Sequence, residues 1–293
     1  MIFLVLSSFL FGLNQPMAAL LIKNSNSLLF SFQFLVTLVL LQLPLVLMKY
    51  KDIFRIFKNH FSLLFISGLI GTFLYWCEFS SLQVGLPISH LTLLTLTVPA
   101  WVLLYEYLRG RGALTNLNKW TLALLGTFFL ITPGQSGEFS IFYLLPVFTS
   151  LLTALWLINS KKAQQEKIHP IVYSFFNDFF SLIGVFIFII YNKSTSELAL
   201  PIEFDKMSLY ALIVGVLPNL FLFYGLRHSG IVKATTIIML EPIIAGTLAL
   251  MIHHEVLTIN LMVGGALIVL STIPANTLAN IQNHLIYRFI TKI

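Results

Sequence analysis

Residues 230–258 read GIVKATTIIMLEPIIAGTLALMIHHEVLT: a ladder of small side chains, an apolar span with Glu241-Pro242 at its centre, then a short polar boundary. Residues 85–115, GLPISHLTLLTLTVPAWVLLYEYLRGRGALT, echo it. Pro99 matches Pro242, and Leu114-Thr115 matches Leu257-Thr258, both at an offset of 143. A proline in mid-span removes one backbone hydrogen bond and kinks the helix, leaving a carbonyl that needs another partner. In lipid this is tolerated only where neighbouring helices or a wet cavity satisfy the freed group. Two kinked spans at matching places in two halves imply an internally duplicated membrane protein with a central cavity.

Composition agrees. Of 293 residues, 58% are hydrophobic and 10% charged, against about 25% charged in a soluble domain. The formal net charge of +6 does not point to nucleic acid, because the basic residues sit in short loops between apolar spans. It points to anionic lipid headgroups and to orientation in the bilayer. The single cysteine, Cys77, lies in an apolar span, which excludes an intramolecular disulfide and a cysteine-cluster metal site. The N-terminal MIFLVLSSFLFGLNQPMAALLIK lacks a basic leading region and stays apolar past Pro16, so it reads as a first membrane helix and not as a signal peptide.

A bilayer core of about 30 Å needs about 20 apolar helical residues. Ten segments meet or approach that length, near 2–22, 28–48, 62–82, 88–108, 119–134, 139–158, 170–191, 207–226, 233–252 and 258–275. The longest polar linkers are Lys49–His60 and Asn192–Lys206. The tail 276–293 sets Ile281, Leu285 and Phe289 on one helical face and Arg288 and Lys292 on another, an amphipathic segment expected along the cytoplasmic membrane surface. With ten spans, fourteen lysines and arginines fall on the side that holds both termini and three on the other. Both termini are therefore expected in the cytoplasm, in a bacterial cytoplasmic (inner) membrane. Five helices per half, an odd number, turn the halves upside down relative to each other. The expected fold is an all-α membrane protein of two inverted five-helix repeats, residues 1–134 and 139–275. Such repeats bind cargo at their interface and exchange inward and outward openings.

The chain resembles the EamA-type members of the drug/metabolite transporter superfamily. The residues that carry the resemblance are Phe11-Gly12-Leu13-Asn14 and Gly85…Pro99 in the first half. In the second they are Leu226…Gly230…Leu240-Glu241-Pro242 and the boundary Glu255-Val256-Leu257-Thr258. The resemblance covers essentially all ten helices and implies a ten-helix inverted repeat that exports or exchanges small metabolites. Two positions depart from the pattern: Gly112 stands where the first repeat usually has the boundary Glu, and Gln33 where helix two often has Arg.

An ionisable side chain within a span is costly unless paired or wetted, and so marks function. Three acids lie well inside spans, Glu78, Asp178 and Glu241, with no lysine or arginine comparably deep. They are expected to bind a cationic or amino group, to take up a proton for coupling, or to hydrogen-bond a neighbouring helix. The amides Asn14, Gln15, Gln33, Asn177 and Asn219 offer donors and acceptors without charge, which suits a zwitterion or a carbonyl ligand and equally suits interhelical contacts. Tyr75, Trp76, Trp156 and Tyr224 are candidate pocket walls. Glu255, with His253 and His254, sits at the outer boundary, as a gate or as a solvated cap.

Enzyme motifs are missing: His254-Glu255 has no second histidine at zinc-protease spacing, and no nucleophile elbow or phosphate-binding glycine loop occurs. Nothing calls for a cofactor or a metal ion, and a channel would be expected to show a filter signature. The expectation is therefore a secondary transporter and not an enzyme, acting as a monomer or a dimer. Its cargo would be a small polar or amphipathic metabolite, an amino acid or derivative foremost, with protons as the candidate coupling ion.

Overall fold

The computed structural model of the protein describes residues 1–22, 26–110, 115–131, 141–192, 202–238, 240–256 and 258–272. Every regular element among them is helical. The first span comprises α1 (Ile2–Gly12) and α2 (Asn14–Ile22). It is followed by α3 (Ser27–Leu47), α4 (Tyr50–Gln83), then α5 (Ile88–Thr95) with α6 (Val98–Leu108), and α7 (Thr115–Ile131). A 3-10 turn, Ile141–Tyr143, leads into α8 (Leu144–Gln165), then α9 (Pro170–Tyr191). After these come α10 (Phe204–Ala211), a π-helical turn at Leu212–Val216, and α11 (Leu217–Arg227). The last are α12 (Ile231–Ile238), α13 (Leu240–Ile252) and α14 (Ile259–Thr272).

Eight of the helical runs are long and apolar enough to cross a membrane, and the apolar parts of α7 and α14, Trp120–Leu130 and Ile259–Ser271, are shorter. All ten fall where the sequence puts its ten segments. Large apolar side chains such as Ile66, Phe128, Ile187 and Met251 are exposed on the outside. Water would penalise that surface, and hydrocarbon does not. The tail 276–293, the repeat boundaries at 134 and 139, Gly112 and Leu257 lie outside the described residues.

The linker expected at Lys49–His60 is helical instead, because α4 begins at Tyr50. Ile53, Ile56 and Phe57 recur at helical spacing and pack against the core, so this polar stretch is an amphipathic helix end. Its junction with the span shows as a kink at His60, whose φ of −126° and ψ of 22° leave the helical region.

Prolines explain the breaks in the other long runs. Pro16 cannot donate to Gly12 and crowds its carbonyl, and α1 ends at Gly12. There Leu13 N–H bonds three residues back, to Leu10 O at 3.2 Å. Pro99 acts likewise: α5 stops at Thr95, and the N–H groups of Leu96 and Thr97 reach Leu93 O and Leu94 O at 3.2 and 3.1 Å. Pro218 is the second residue of α11, which follows the π turn. Pro242 lies in the first turn of α13, four residues after the end of α12 at Ile238.

The helices meet through small residues. A methyl group added at Gly126 of α7 would sit 2.7 Å from Gly264 O of α14, and one at Gly264 would sit 2.8 Å from Gly126 O. Only hydrogen at both positions lets the two backbones approach this closely. The neighbours follow an exchange pattern: α4 packs on α8 and α1 on α11; α5 and α6 pack on α8 while α12 and α13 pack on α1; α3 packs on α9 and α7 on α14.

Candidate substrate cavity

The helical runs α1–α2, α5–α6, α10–α11 and α12–α13 bring their irregular or proline-bearing segments to one place. Asn14 and Gln15, Thr95, Leu96, Val98 and Pro99, Val214 and Asn219, and Ile238, Glu241 and Pro242 all contribute to the wall of a single cavity, with α4, α8 and α9 supplying most of the rest. The empty space is about 1000 Å³, its open mouth included. Gly12 is what lets α1 lie against α13 here: a methyl group on it would strike Ile244 at 2.8 Å and Glu241 O at 3.0 Å.

The polar side of the cavity is built around Glu78 of α4. Its Oε1 accepts from Asn14 Nδ2 at 2.9 Å and, more weakly, from Gln15 Nε2 at 3.5 Å. Asn14 Oδ1 in turn accepts from the hydroxyl of Tyr210, which is fully buried in α10. Glu241 lies close enough for its carboxyl group to interact electrostatically with that of Glu78. Gln15 is buried, and its Oε1 has no hydrogen-bond partner among the described residues. Among the described residues lining the cavity there is no lysine, arginine or histidine. Phe11, Phe34, Tyr75 and Trp156 supply aromatic surface, and Thr95, Thr149, Thr153 and Thr235 supply hydroxyl groups.

Asn177 also lines the wall. Its Oδ1 accepts from Ser67 Oγ at 2.6 Å and Trp156 Nε1 at 3.0 Å, which fixes the indole in place. Of the residues singled out in the sequence, Asn14, Gln15, Tyr75, Glu78, Trp156, Asn177, Asn219 and Glu241 line the cavity together with Pro99 and Pro242.

Four others do not. Asp178, expected as a cavity acid, is fully enclosed behind the wall. It accepts from Gln42 Nε2 at 2.7 Å and Asn177 Nδ2 at 2.9 Å, with Tyr75 OH at 3.5 Å. It is an interhelical tie between α3, α4 and α9. Gln33 is buried against the start of α10, where it accepts from Ile202 N–H at 3.2 Å and donates to Ile202 O. Trp76 packs edge-on against Phe188, and Tyr224 is exposed on the outer surface beside Phe3. Helical spacing explains the difference, since each residue turns the helix by about 100°, so a neighbour of a cavity residue faces lipid or another helix.

The sequence reading missed Tyr210 and the threonines. A tyrosine or threonine within a span carries no signal of its own in a chain with 14% aromatics. Glu255, read as a gate or a solvated cap, is a helix cap. Its Oε1 and Oε2 accept from the N–H groups of Ile88 and Ser89 at 2.6 and 2.9 Å, tying the boundary after α13 to the N-terminus of α5.

A bundle of apolar spans whose irregular segments surround a polar, enclosed cavity is the form of a membrane transporter. Residues 140–277 match the EamA-like transporter family. An uncharacterized transporter of Archaeoglobus fulgidus is 25% identical over 195 residues, 64% of this chain and 67% of its own length. A solved crystal structure aligns over 94% of this chain and 96% of its own with a TM-score of 0.63 and 16% identity, a likeness of fold. The second half of the chain is thus similar to the EamA-like transporter family, and the relative and the fold point to the same class, a membrane transporter.

Proposed function

We propose that this transporter is a secondary carrier for a small amine-bearing metabolite, an amino acid or a derivative of one, working by alternating access. The observation that carries the reading is the imbalance of the cavity. Glu78, Glu241 and the unpartnered Gln15 Oε1 are acceptors, and no cation stands among the lining residues to match them. Two carboxyl groups in one apolar enclosure are stabilised by a bound cation or by a proton. An ammonium group donates three hydrogen bonds, enough to reach both acids and the orphaned amide oxygen. The aromatic walls suit the carbon skeleton, and aromatic faces attract cations.

In this proposal α7 and α14 complete ten spans, and residues 1–134 and 139–275 form the two inverted repeats. The exchange pattern of neighbours supports it, because swapping first-half helices for their second-half counterparts maps one set of contacts onto the other. The basic bias of one side supports cytoplasmic termini in a bacterial inner membrane. Because the same two carboxyl groups bind the amine or the proton, proton-for-substrate exchange is the coupling this geometry favours.

The test is a thermal-shift screen of the purified protein against amines, amino acids and purely anionic metabolites. A ligand that binds the folded state raises its apparent stability. The positive compounds then go to uptake in proteoliposomes with and without a pH gradient. Stabilisation by amine-bearing compounds, followed by saturable, gradient-driven uptake, is expected. Stabilisation by anions alone would refute the cargo class, and non-saturating flux would refute the carrier.

A further inference from the structure

A second concave site lies away from the cavity, at the end of the molecule where α3 ends and α4 begins. It is formed by the first turns of α4, the turn between α8 and α9, and the end of α11. Arg55, Lys167 and Arg227 rim it, His60 and His169 line it, and Glu166 is the only acid among the described residues that line it. We infer that this site binds a phosphate-bearing anion, the phosphodiester of an anionic lipid headgroup at the membrane surface.

The site is built by two departures from regular backbone. The kink at His60 turns the first part of α4, with Arg55, out of line with the span. On the opposite wall, Lys167 has a φ of 59°, the left-handed region. There it closes α8, as its N–H reaches Gln164 O at 3.2 Å and Ile168 N–H reaches Ala163 O at 3.1 Å. Glycine is the usual residue at such a helix end. A lysine held there puts a cation where the fold alone asks for no side chain.

Arg227, in the last turn of α11, is not needed to match the negative end of that helix. Lys161 Nζ already donates to Leu226 O and Ser229 O, both at 2.6 Å. Two guanidinium groups and an ammonium group around one concavity suit phosphate, whose oxygens accept paired N–H groups from arginine.

The depth of the site favours a lipid over a soluble phosphate. The apolar runs Ile53–Gln83, Ile141–Gln165, Pro170–Tyr191 and Phe204–Arg227 all begin or end at this level. That is where headgroup phosphates lie, and basic pockets between helices at this depth recognise anionic lipids.

The test compares unfolding midpoints of the full chain in dodecyl maltoside micelles containing phosphatidylglycerol or phosphatidylcholine, and in micelles with inorganic phosphate against chloride at matched ionic strength. The variants are the double variant Arg227→Gln with Lys167→Gln, and Lys162→Gln, an exposed basic residue outside the site. Phosphatidylglycerol is expected to raise the midpoint of the wild type and of Lys162→Gln by about 3 °C or more over phosphatidylcholine. The rise is expected to vanish in the double variant. An equal rise with inorganic phosphate, lost in the same variant, keeps the phosphate site and reassigns its source to a soluble anion. Equal midpoints in the two lipids, or a rise unchanged in the double variant, would overturn the site. Should the double variant not fold, Arg227→Lys keeps the charge but removes the paired donors. Its phosphatidylglycerol titration is expected to be about tenfold weaker than that of the wild type, and an unchanged titration would overturn the site.

Discussion

Glu78 and Asp178 have the same chemistry and are both buried, yet their surroundings assign them different work. Asp178 has donors on every side, from α3, α4 and α9, so its hydrogen bonds stay within the protein. Glu78 is held from one side only, by Asn14 and Gln15, and lines the cavity with Glu241 nearby. Replacing Glu78 with Gln should therefore leave the fold intact and weaken amine binding about tenfold to a hundredfold, the worth of a hydrogen bond to a charged group. Titration of an amine found in the stability screen measures this, and unchanged affinity would remove Glu78 from the site. Asp178→Asn should do the reverse. The new amide points an N–H at donors, so stability falls by about 1–3 kcal/mol while the affinity of the folded protein holds. Both acids were legible in the sequence as costly intramembrane groups. The division between them was not, because a shift of one or two residues along a helix decides which face a side chain occupies and neither acid sits in a clear periodic pattern. Tyr210, which holds Asn14 toward Glu78, was hidden for the same reason.

At the level of elements, sequence and structure agree best where proline is involved. Pro16, Pro99 and Pro218 each end or distort a helix by the loss of one N–H and the crowding of one carbonyl, and Pro242 stands at the matching place in the ninth span. All of these irregular segments border the cavity. Agreement is poorer at the ends of helices, where contacts between distant segments take over. The first turns of α4 read as a polar linker because charge masks the spacing of Ile53, Ile56 and Phe57. The two bonds from Glu255 to the start of α5 span 166 and 167 residues of sequence, which no local pattern reveals. They join the second half of the chain to the first at one end of the cavity helices. Glu255→Ala should cost about 1 kcal/mol, as for loss of a helix cap. Amide hydrogen exchange should then quicken about fivefold at Ile88 and Ser89 while the amides of α9 stay unchanged. Equal protection in wild type and variant would mean that the cap does not hold this helix end.

For the whole molecule, the decisive quantity is which ends of the spans share a side. With α7 counted as a crossing, as proposed above, the order of the helices puts the end of α3, the end of α6 and the end of α11 on one side, with the phosphate-type pocket. It puts the ends of α4, α9 and α13 on the other. On the ten-span reading of the sequence, fourteen of the seventeen lysines and arginines are expected on the first side, so that side should be cytoplasmic. The chain offers a direct test, because its single cysteine, Cys77, is buried. In a Cys77→Ser background, single cysteines at the exposed positions Val84, Tyr191 and Val256 should react in intact cells with a maleimide that cannot cross the membrane. Cysteines at Met48 and Leu108, also exposed, should react only after the cells are opened. The alternation is what gives the test its force. Each span carries the chain across once, so an error of one span anywhere between Met48 and Val256 would reverse every position beyond it. Labelling of Tyr191→Cys from the cytoplasmic side, with Val84→Cys outside, would leave an odd number of crossings missing between them and break the relation of the two halves on which alternating access depends.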